Sequence, residues 1–163
     1  LTFDTARRSM MSITPADYAQ FAAEIGLDMA GSNCCVGPAE LMGSTQGLIA
    51  AAIEIPVVAK GNCGIPKYVD GAIHFRGSPE LMAQYALNAR DAGATIIGGC
   101  CSTTPEHVAA MVSALEGTPR RALDTEAMST ALGTRGQRWP SLRPLPVSSG
   151  ATGAVAEASL VYC

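Results

Sequence analysis

Five of the six cysteines in this 163-residue chain follow short apolar segments, and thiols are side chains that bind metals or act as nucleophiles. Cys34 and Cys35 follow "LDMAGSN", Cys63 follows "IPVVAKGN", and Cys100 and Cys101 follow "ATIIGG". If these segments are parallel strands, their carboxyl ends meet at one edge of a sheet, where α/β proteins build their active sites. The pattern therefore predicts a group of up to five thiols at that edge.

Zinc is the metal that such a group binds most naturally, because thiolates hold it tetrahedrally and a catalytic site leaves one position for water or substrate. Adjacent residues of a regular strand point to opposite faces, so Cys100 and Cys101 reach one ion only if the strand ends before them. We attribute that break to Gly98 and Gly99, which tolerate unusual dihedrals. The residues alone leave inert buried thiols, a Cys100–Cys101 disulfide and an iron–sulfur cluster open.

The elements that must position these thiols alternate along the first 117 residues. Apolar runs at 27–31, 55–60 and 94–98 are typical of buried parallel strands. Between them lie amphipathic stretches that predict helices, each opening at a proline: Pro15, Pro38, Pro79 and Pro105. This rhythm predicts an α/β fold, either a doubly wound sheet or half of a (β/α)₈ barrel, since a whole barrel needs ~200 residues or more.

Composition excludes several classes of function. The net charge of −3 and a pI near 5.3 argue against a nucleic-acid partner. No stretch approaches the ~20 apolar residues of a membrane span, and no secretion signal precedes the fold, so we expect a cytoplasmic protein whose cysteines serve a metal rather than disulfides. Because the chain begins with Leu, we expect a fragment whose first strands are missing. Residues 122–163, rich in Ser, Pro, Gly, Thr and Arg, are predicted to be a low-order tail after a domain at 1–121.

Three motifs carry a family resemblance: "GSNCCVGP" at 31–38, "VVAKGNCGIPKY" at 57–68 and "IIGGCCSTTPEHVAAM" at 96–111. They resemble the homocysteine S-methyltransferase family, which includes betaine–homocysteine methyltransferases and the homocysteine-binding module of cobalamin-dependent methionine synthase. The resemblance covers about residues 1–121. It implies the C-terminal half of a (β/α)₈ TIM barrel with catalytic Zn²⁺ held by three cysteines. Matching the motifs assigns the zinc ligands to Cys34, Cys100 and Cys101.

Other motif positions depart from the family or match it less specifically. Cys35 stands where the family often has Gly, and Cys63 where it often has Ala, so we interpret both as bystanders. Ser102 replaces a common Gly. Asn33 and Asn62 lie in matching loops and are assigned to substrate binding, with a structural role in turning the chain equally open.

The resemblance implies methyl transfer to homocysteine, forming methionine. The substrate thiol has a pKa of about 8.5, and coordination to zinc removes its proton. The donor stays open between a betaine-like compound, a methylsulfonium compound and a methylcorrinoid. We expect no nucleic-acid or membrane partner, and either a homo-oligomer or pairing with a missing N-terminal half. The chain alone is expected to bind zinc poorly and to be catalytically weak. The alternatives are a zinc hydrolase on a (β/α) barrel and a non-enzymatic zinc-binding module closed by Cys35 or Cys63.

Overall fold

The computed structural model describes residues 1–4, 6–51, 54–75 and 77–133. Within them the predicted alternation of helix and strand is confirmed, and the first four helices begin at the four predicted prolines. None of the helices within these ranges combines the length and apolar character that a membrane crossing requires. The elements are α1 (Pro15–Glu24), β1 (Ala30–Cys34), α2 (Pro38–Ala50), β2 (Val57–Gly61), β3 (Pro66–Val69), β4 (Ala72–Phe75), α3 (Pro79–Ala92), β5 (Ile96–Gly99), α4 (Pro105–Leu115) and α5 (Thr125–Leu132).

Side-chain caps explain where the helices begin. The Thr14 hydroxyl accepts a hydrogen bond from the backbone N–H of Asp17 at 3.2 Å, and the Asp17 carboxylate accepts one from the N–H of Thr14. The Ser78 hydroxyl accepts one from the N–H of Leu81 at 3.3 Å. Each cap satisfies N–H groups that have no partner inside the helix, which is worth about 1 kcal/mol.

The main sheet is parallel, in the order β1-β2-β5. Its strands lie closer to the cysteines than predicted, because β1 covers 30–34 rather than 27–31 and so ends at Cys34 itself. The apolar run at 27–31 predicted the position of β1 poorly, because the residues that pair with β2 include the polar Ser32 and Asn33. Ser32 is nevertheless only 1% exposed, because the strand turns it toward the protein interior.

The helices form one layer. Helix α1 packs on α2, α2 on α3, and α3 on α4, so successive crossovers lie on the same face of the sheet. A doubly wound sheet would place helices on both faces. Leu41 and Tyr85 are fully buried between the helices and β2, where the missing side chain of Gly61 leaves room for the Tyr85 ring. The arrangement therefore favours an arc of a barrel over a doubly wound sheet, and closure into a barrel stays a prediction.

The connection between β2 and α3, predicted as a long loop, contains the antiparallel hairpin β3–β4. Its turn has φ of 51° at Asp70 and 83° at Gly71, the left-handed conformations that an Asp-Gly hairpin turn requires. The hairpin is exposed, with Tyr68 and Ile73 paired across it and both largely in solvent.

The prediction of a low-order tail from residue 122 is wrong for 125–132, which form α5. The Asp124 carboxylate caps this helix by accepting hydrogen bonds from the N–H groups of Glu126 and Ala127. Met128 and Leu132, one turn apart, are buried in the core beside α3. Tertiary burial of two apolar side chains thus overrides a composition typical of disorder. The rest of the predicted tail, 134–163, lies outside the described residues.

Candidate metal centre

The structure brings together the three thiols predicted to bind zinc. The Sγ atom of Cys34 lies 2.8 Å from that of Cys100 and 3.6 Å from that of Cys101. All three sulfur atoms lie within 4.8 Å of one another, and each belongs to a free cysteine. They converge because β1 and β5 are parallel, so that the carboxyl ends of both strands lie at the same edge of the sheet.

Strand β1, which ends at the proposed ligand Cys34, is followed by a turn that is built without glycine. Cys34 and Cys35 have φ of 60° and 59°, in the left-handed region that costs a residue with a side chain about 1–2 kcal/mol. Two such residues in succession end the pairing of β1 with β2 and turn the backbone toward α2. Backbone strain at this point therefore accompanies the placement of the Cys34 thiol, as is common at functional sites.

The second ligand strand ends at Gly99, as the prediction of a break before Cys100 requires. The reason given for that break is wrong, because neither Gly98 nor Gly99 has a positive φ. Gly99 is needed for space instead: a Cβ atom there would lie 2.2 Å from the Thr103 side chain. The strained residue of this turn is Ser102, with φ of 57°.

Replacing Ser102 by Gly is expected to raise the free energy of unfolding by about 0.5–1 kcal/mol, because glycine adopts a positive φ without steric cost. Chemical denaturation would measure the change. Ser113 is the matched control, since it is exposed inside α4, where Ser→Gly is expected to destabilise the fold by about 0.5 kcal/mol. Changes of the same sign at both positions would contradict this account of the turn.

Hydrogen bonds among the three thiols shift the pKa values of Cys34 and Cys100 in opposite directions. Burial, together with hydrogen bonds to Cys100 and Cys101, raises the pKa of Cys34 to about 12. Burial also acts to raise the pKa of Cys100, but hydrogen bonds with Cys34, Asn33 and Cys101 outweigh it and lower that pKa. Cys100 therefore ionises more readily than Cys34, and its hydrogen-bond partners stabilise its charge. A divalent cation would replace the protons between these sulfurs and offset two of the three thiolate charges, which leaves the site with one net negative charge.

The donor set fits zinc. A tetrahedral site with Zn–S bonds of about 2.3 Å requires sulfur atoms about 3.8 Å apart. The Cys34–Cys101 separation of 3.6 Å meets this requirement, and the Cys34–Cys100 separation of 2.8 Å would have to open by about 1 Å. Among the described residues, no fourth His, Cys, Asp or Glu joins the group. Three thiolates with one position left for another ligand form a catalytic rather than a closed zinc site.

The two cysteines interpreted as bystanders have other contacts. Cys35 Sγ lies 3.7 Å from the Ser32 hydroxyl. Cys63 is 2% exposed, and its Sγ lies 3.1 Å from the backbone oxygen of Gly77 and 2.9 Å from His107 Nε2. Neither belongs to the three-thiol group that the structure forms, which agrees with the interpretation.

Asn62 connects the two loops that carry the thiols. Its side chain is 3% exposed, its Nδ2 donates to the backbone oxygen of Cys35 at 3.0 Å, and its Oδ1 accepts from the N–H of Cys101 at 3.3 Å. Both polar atoms are thus occupied by backbone, which favours the structural role over direct substrate binding. Asn33, on β1, hydrogen-bonds with the side chain of Cys100. The assignment of either residue to homocysteine stays a prediction.

Replacing Asn62 by Ala is expected to lower zinc affinity about 10- to 100-fold, because the two ligand loops lose their common partner. Competition with a chromophoric zinc chelator would measure the loss. Asn88→Ala is the control, since Asn88 is also buried and its amide donates to the Gln84 oxygen inside α3, away from the thiols. Unchanged zinc affinity combined with weaker homocysteine binding would instead support the predicted role in substrate binding.

Comparison with known proteins agrees with the site. Residues 1–115 match the family described as homocysteine S-methyltransferase. The chain is 36% identical to methionine synthase of Mycobacterium leprae (strain TN) over 92 residues, which is 56% of this chain and 8% of that protein. It is 35% identical to methionine synthase of Mycobacterium tuberculosis (strain ATCC 25618 / H37Rv) over 97 residues, 59% of this chain and again 8% of the relative. The chain thus spans a small fraction of the length of these relatives. On the family match, which covers most of its length, this chain belongs to the homocysteine S-methyltransferase family.

Proposed function

We propose that this chain carries the zinc site of an enzyme that transfers a methyl group from a small donor to the thiol of homocysteine, forming methionine. The observation that carries the proposal is the group of Cys34, Cys100 and Cys101, whose sulfurs lie within 4.8 Å of one another in a member of this family. The similarity to two proteins named methionine synthase supports methionine as the product.

We further propose that the described elements form part of a (β/α)₈ barrel. The single layer of helices on the sheet β1-β2-β5 supports this, because every crossover of such a barrel lies on the outer face. The position of the thiols supports it as well. They lie at the carboxyl ends of β1 and β5, the end at which barrel enzymes hold their catalytic groups.

The chemistry follows from the donor set. Zinc, when bound, would supply a Lewis acid that keeps the homocysteine sulfur deprotonated near neutral pH. The three protein thiolates contribute negative charge that opposes the metal's positive charge, so the substrate sulfur stays electron-rich. In the transfer, a lone pair of that sulfur forms the new S–CH₃ bond. The bond between the methyl group and the donor breaks, and its electron pair stays on the donor.

The two alternatives are less well supported by the donor set. A zinc hydrolase usually draws on His and carboxylate ligands, whereas the group found here consists of thiols. A closed structural site needs a fourth protein ligand, and Cys35 and Cys63 contact other groups in the described part of the chain.

The test is methyl transfer by the zinc-loaded chain, with betaine, a methylsulfonium compound and a methylcorrinoid offered separately and methionine measured by mass spectrometry. We expect methionine from one class of donor, and its loss when a chelator removes the metal. Homoserine, which has a hydroxyl in place of the thiol, is the control substrate. Methionine formation that survives complete removal of zinc would overturn the proposed role of the thiols.

A further inference from the structure

His107 lies at the third position of α4, and each of its ring nitrogens has a different partner. Nδ1 accepts a hydrogen bond from the backbone N–H of Thr104 at 3.1 Å. A neutral imidazole whose Nδ1 accepts a hydrogen bond carries its proton on Nε2. The Thr104 hydroxyl oxygen lies 2.8 Å from the same Nδ1 and can donate or accept, so the tautomer is inferred from both ends of the ring. The Thr104 N–H can only donate to Nδ1, and the Gly77 carbonyl that Nε2 faces can only accept, which together place the proton on Nε2.

The Nε2 atom faces the loop that follows β2. It lies 2.9 Å from Cys63 Sγ and 3.4 Å from the backbone oxygen of Gly77. The Cys63 thiol donates to the same Gly77 oxygen at 3.1 Å. His107 is 9% exposed and Cys63 is 2% exposed, so water has little access to replace these contacts. The imidazole thus connects three segments: the start of α4, the loop after β2 and the segment that leads into α3.

These contacts lead directly to the metal centre. The backbone N–H of Cys63 donates to the oxygen of Cys101 at 3.1 Å, and the preceding Asn62 accepts from the N–H of Cys101. The backbone N–H and the backbone oxygen of Cys101 are therefore both hydrogen-bonded to the pair Asn62 and Cys63. The position of that pair relative to α4 depends in turn on His107.

We propose that His107 is a positioning residue for the three-thiol group: its Nε2–H, donated to Cys63 and Gly77, fixes the loop that orients Cys101. The inference rests on the proposed zinc site. It adds a role for Cys63 as the contact through which the imidazole acts, outside the ligand set.

Two neutral amides that differ by one methylene test the proposal. His107→Gln can still accept from Thr104 and reach Cys63, whereas His107→Asn is long enough only for the contact with Thr104. We expect His107→Asn to lose about 10- to 100-fold in zinc affinity, measured by chelator competition, and His107→Gln to restore most of it. The absorption spectrum of the Co²⁺-substituted protein should change in the Asn variant and return toward wild type in the Gln variant.

Two further variants separate positioning from folding. Thr104→Ala removes the hydroxyl that lies 2.8 Å from His107 Nδ1 but keeps the backbone N–H that donates to it. This variant should lower the melting temperature while leaving zinc affinity within about 2-fold, because the Nε2 contacts are kept. Cys63→Ala leaves α4 untouched and should lower zinc affinity by less than His107→Asn, because the Gly77 contact survives. Wild-type zinc affinity and an unchanged Co²⁺ spectrum in both His107→Asn and Cys63→Ala would overturn the proposal.

One measurement needs no metal. Nitrogen NMR of the metal-free chain should find the His107 proton on Nε2, and a proton on Nδ1 would overturn the proposal by itself. If the wild-type chain shows this tautomer but binds no zinc, the proposed function fails while the hydrogen-bond arrangement stands. If wild type binds zinc and His107→Asn binds it equally well, only the positioning role fails.

Discussion

Replacing Cys100 by Ser is expected to weaken zinc binding by roughly 100- to 1,000-fold, because a whole zinc site is worth about 10–16 kcal/mol and one of about four ligands is lost. The hydroxyl keeps the shape of the side chain but does not ionise near neutral pH. Cys100 is a good position for this test, since hydrogen bonds lower its pKa whereas burial raises that of Cys34. Chelator competition on the purified chain would measure the affinity.

Cys35→Ser is the matched control for Cys100→Ser. It makes the same chemical change next to a proposed ligand, at a thiol that contacts the Ser32 hydroxyl and the Asn33 backbone oxygen. Zinc affinity should stay within about 3-fold of wild type, because these contacts lie outside the three-thiol group. If Cys35→Ser abolished binding and Cys100→Ser did not, the assignment of ligands would be wrong.

Adding homocysteine to the zinc-loaded chain is expected to raise the number of sulfur ligands from three to four. The reason is that the three protein thiols leave one tetrahedral position for the substrate, and a thiol replaces water there and loses its proton. X-ray absorption at the zinc edge, recorded before and after the addition, would count the sulfur atoms.

The same spectra separate the alternatives. Four sulfur ligands before homocysteine is added would indicate a closed structural site. Three sulfurs and one oxygen that persist with homocysteine present would favour a hydrolase, which keeps its water. Homoserine is the control ligand, and it should leave the sulfur count unchanged.

Much of the site was predictable from sequence because the thiols follow strands. Once "ATIIGG" and "LDMAGSN" are taken as parallel strands, their carboxyl ends must share an edge, and the grouping of Cys34 with Cys100 and Cys101 follows. The four helix starts were predictable for a similar reason, since a proline at the first position with a Ser or Thr before it is a local signal.

The predictions that failed depend on side-chain contacts that the local sequence pattern does not reveal. The role of Gly99 depends on its distance from Thr103, which no local pattern reveals. Helix α5 depends on burial of Met128 against α3, and its Ser- and Thr-rich composition gives no hint of that. The link from His107 to Cys63 joins residues 44 apart in sequence, and no local pattern reveals it.

The middle strand of the sheet carries none of the proposed zinc ligands. Cys34 ends β1 and Cys100 follows β5, and β2 lies between them, so the two outer strands are separated by about 10 Å. Their sulfurs nevertheless lie 2.8 Å apart, and the backbone N–H of Cys100 donates to the oxygen of Gly61, the last residue of β2. A bound ion would link Cys34 to Cys100 across the end of β2 and so close a loop between positions 66 residues apart. Bound zinc should thereby act as a cross-link that holds β1, β2 and β5 in register. The free energy of unfolding should then rise with the fraction of chains that hold zinc.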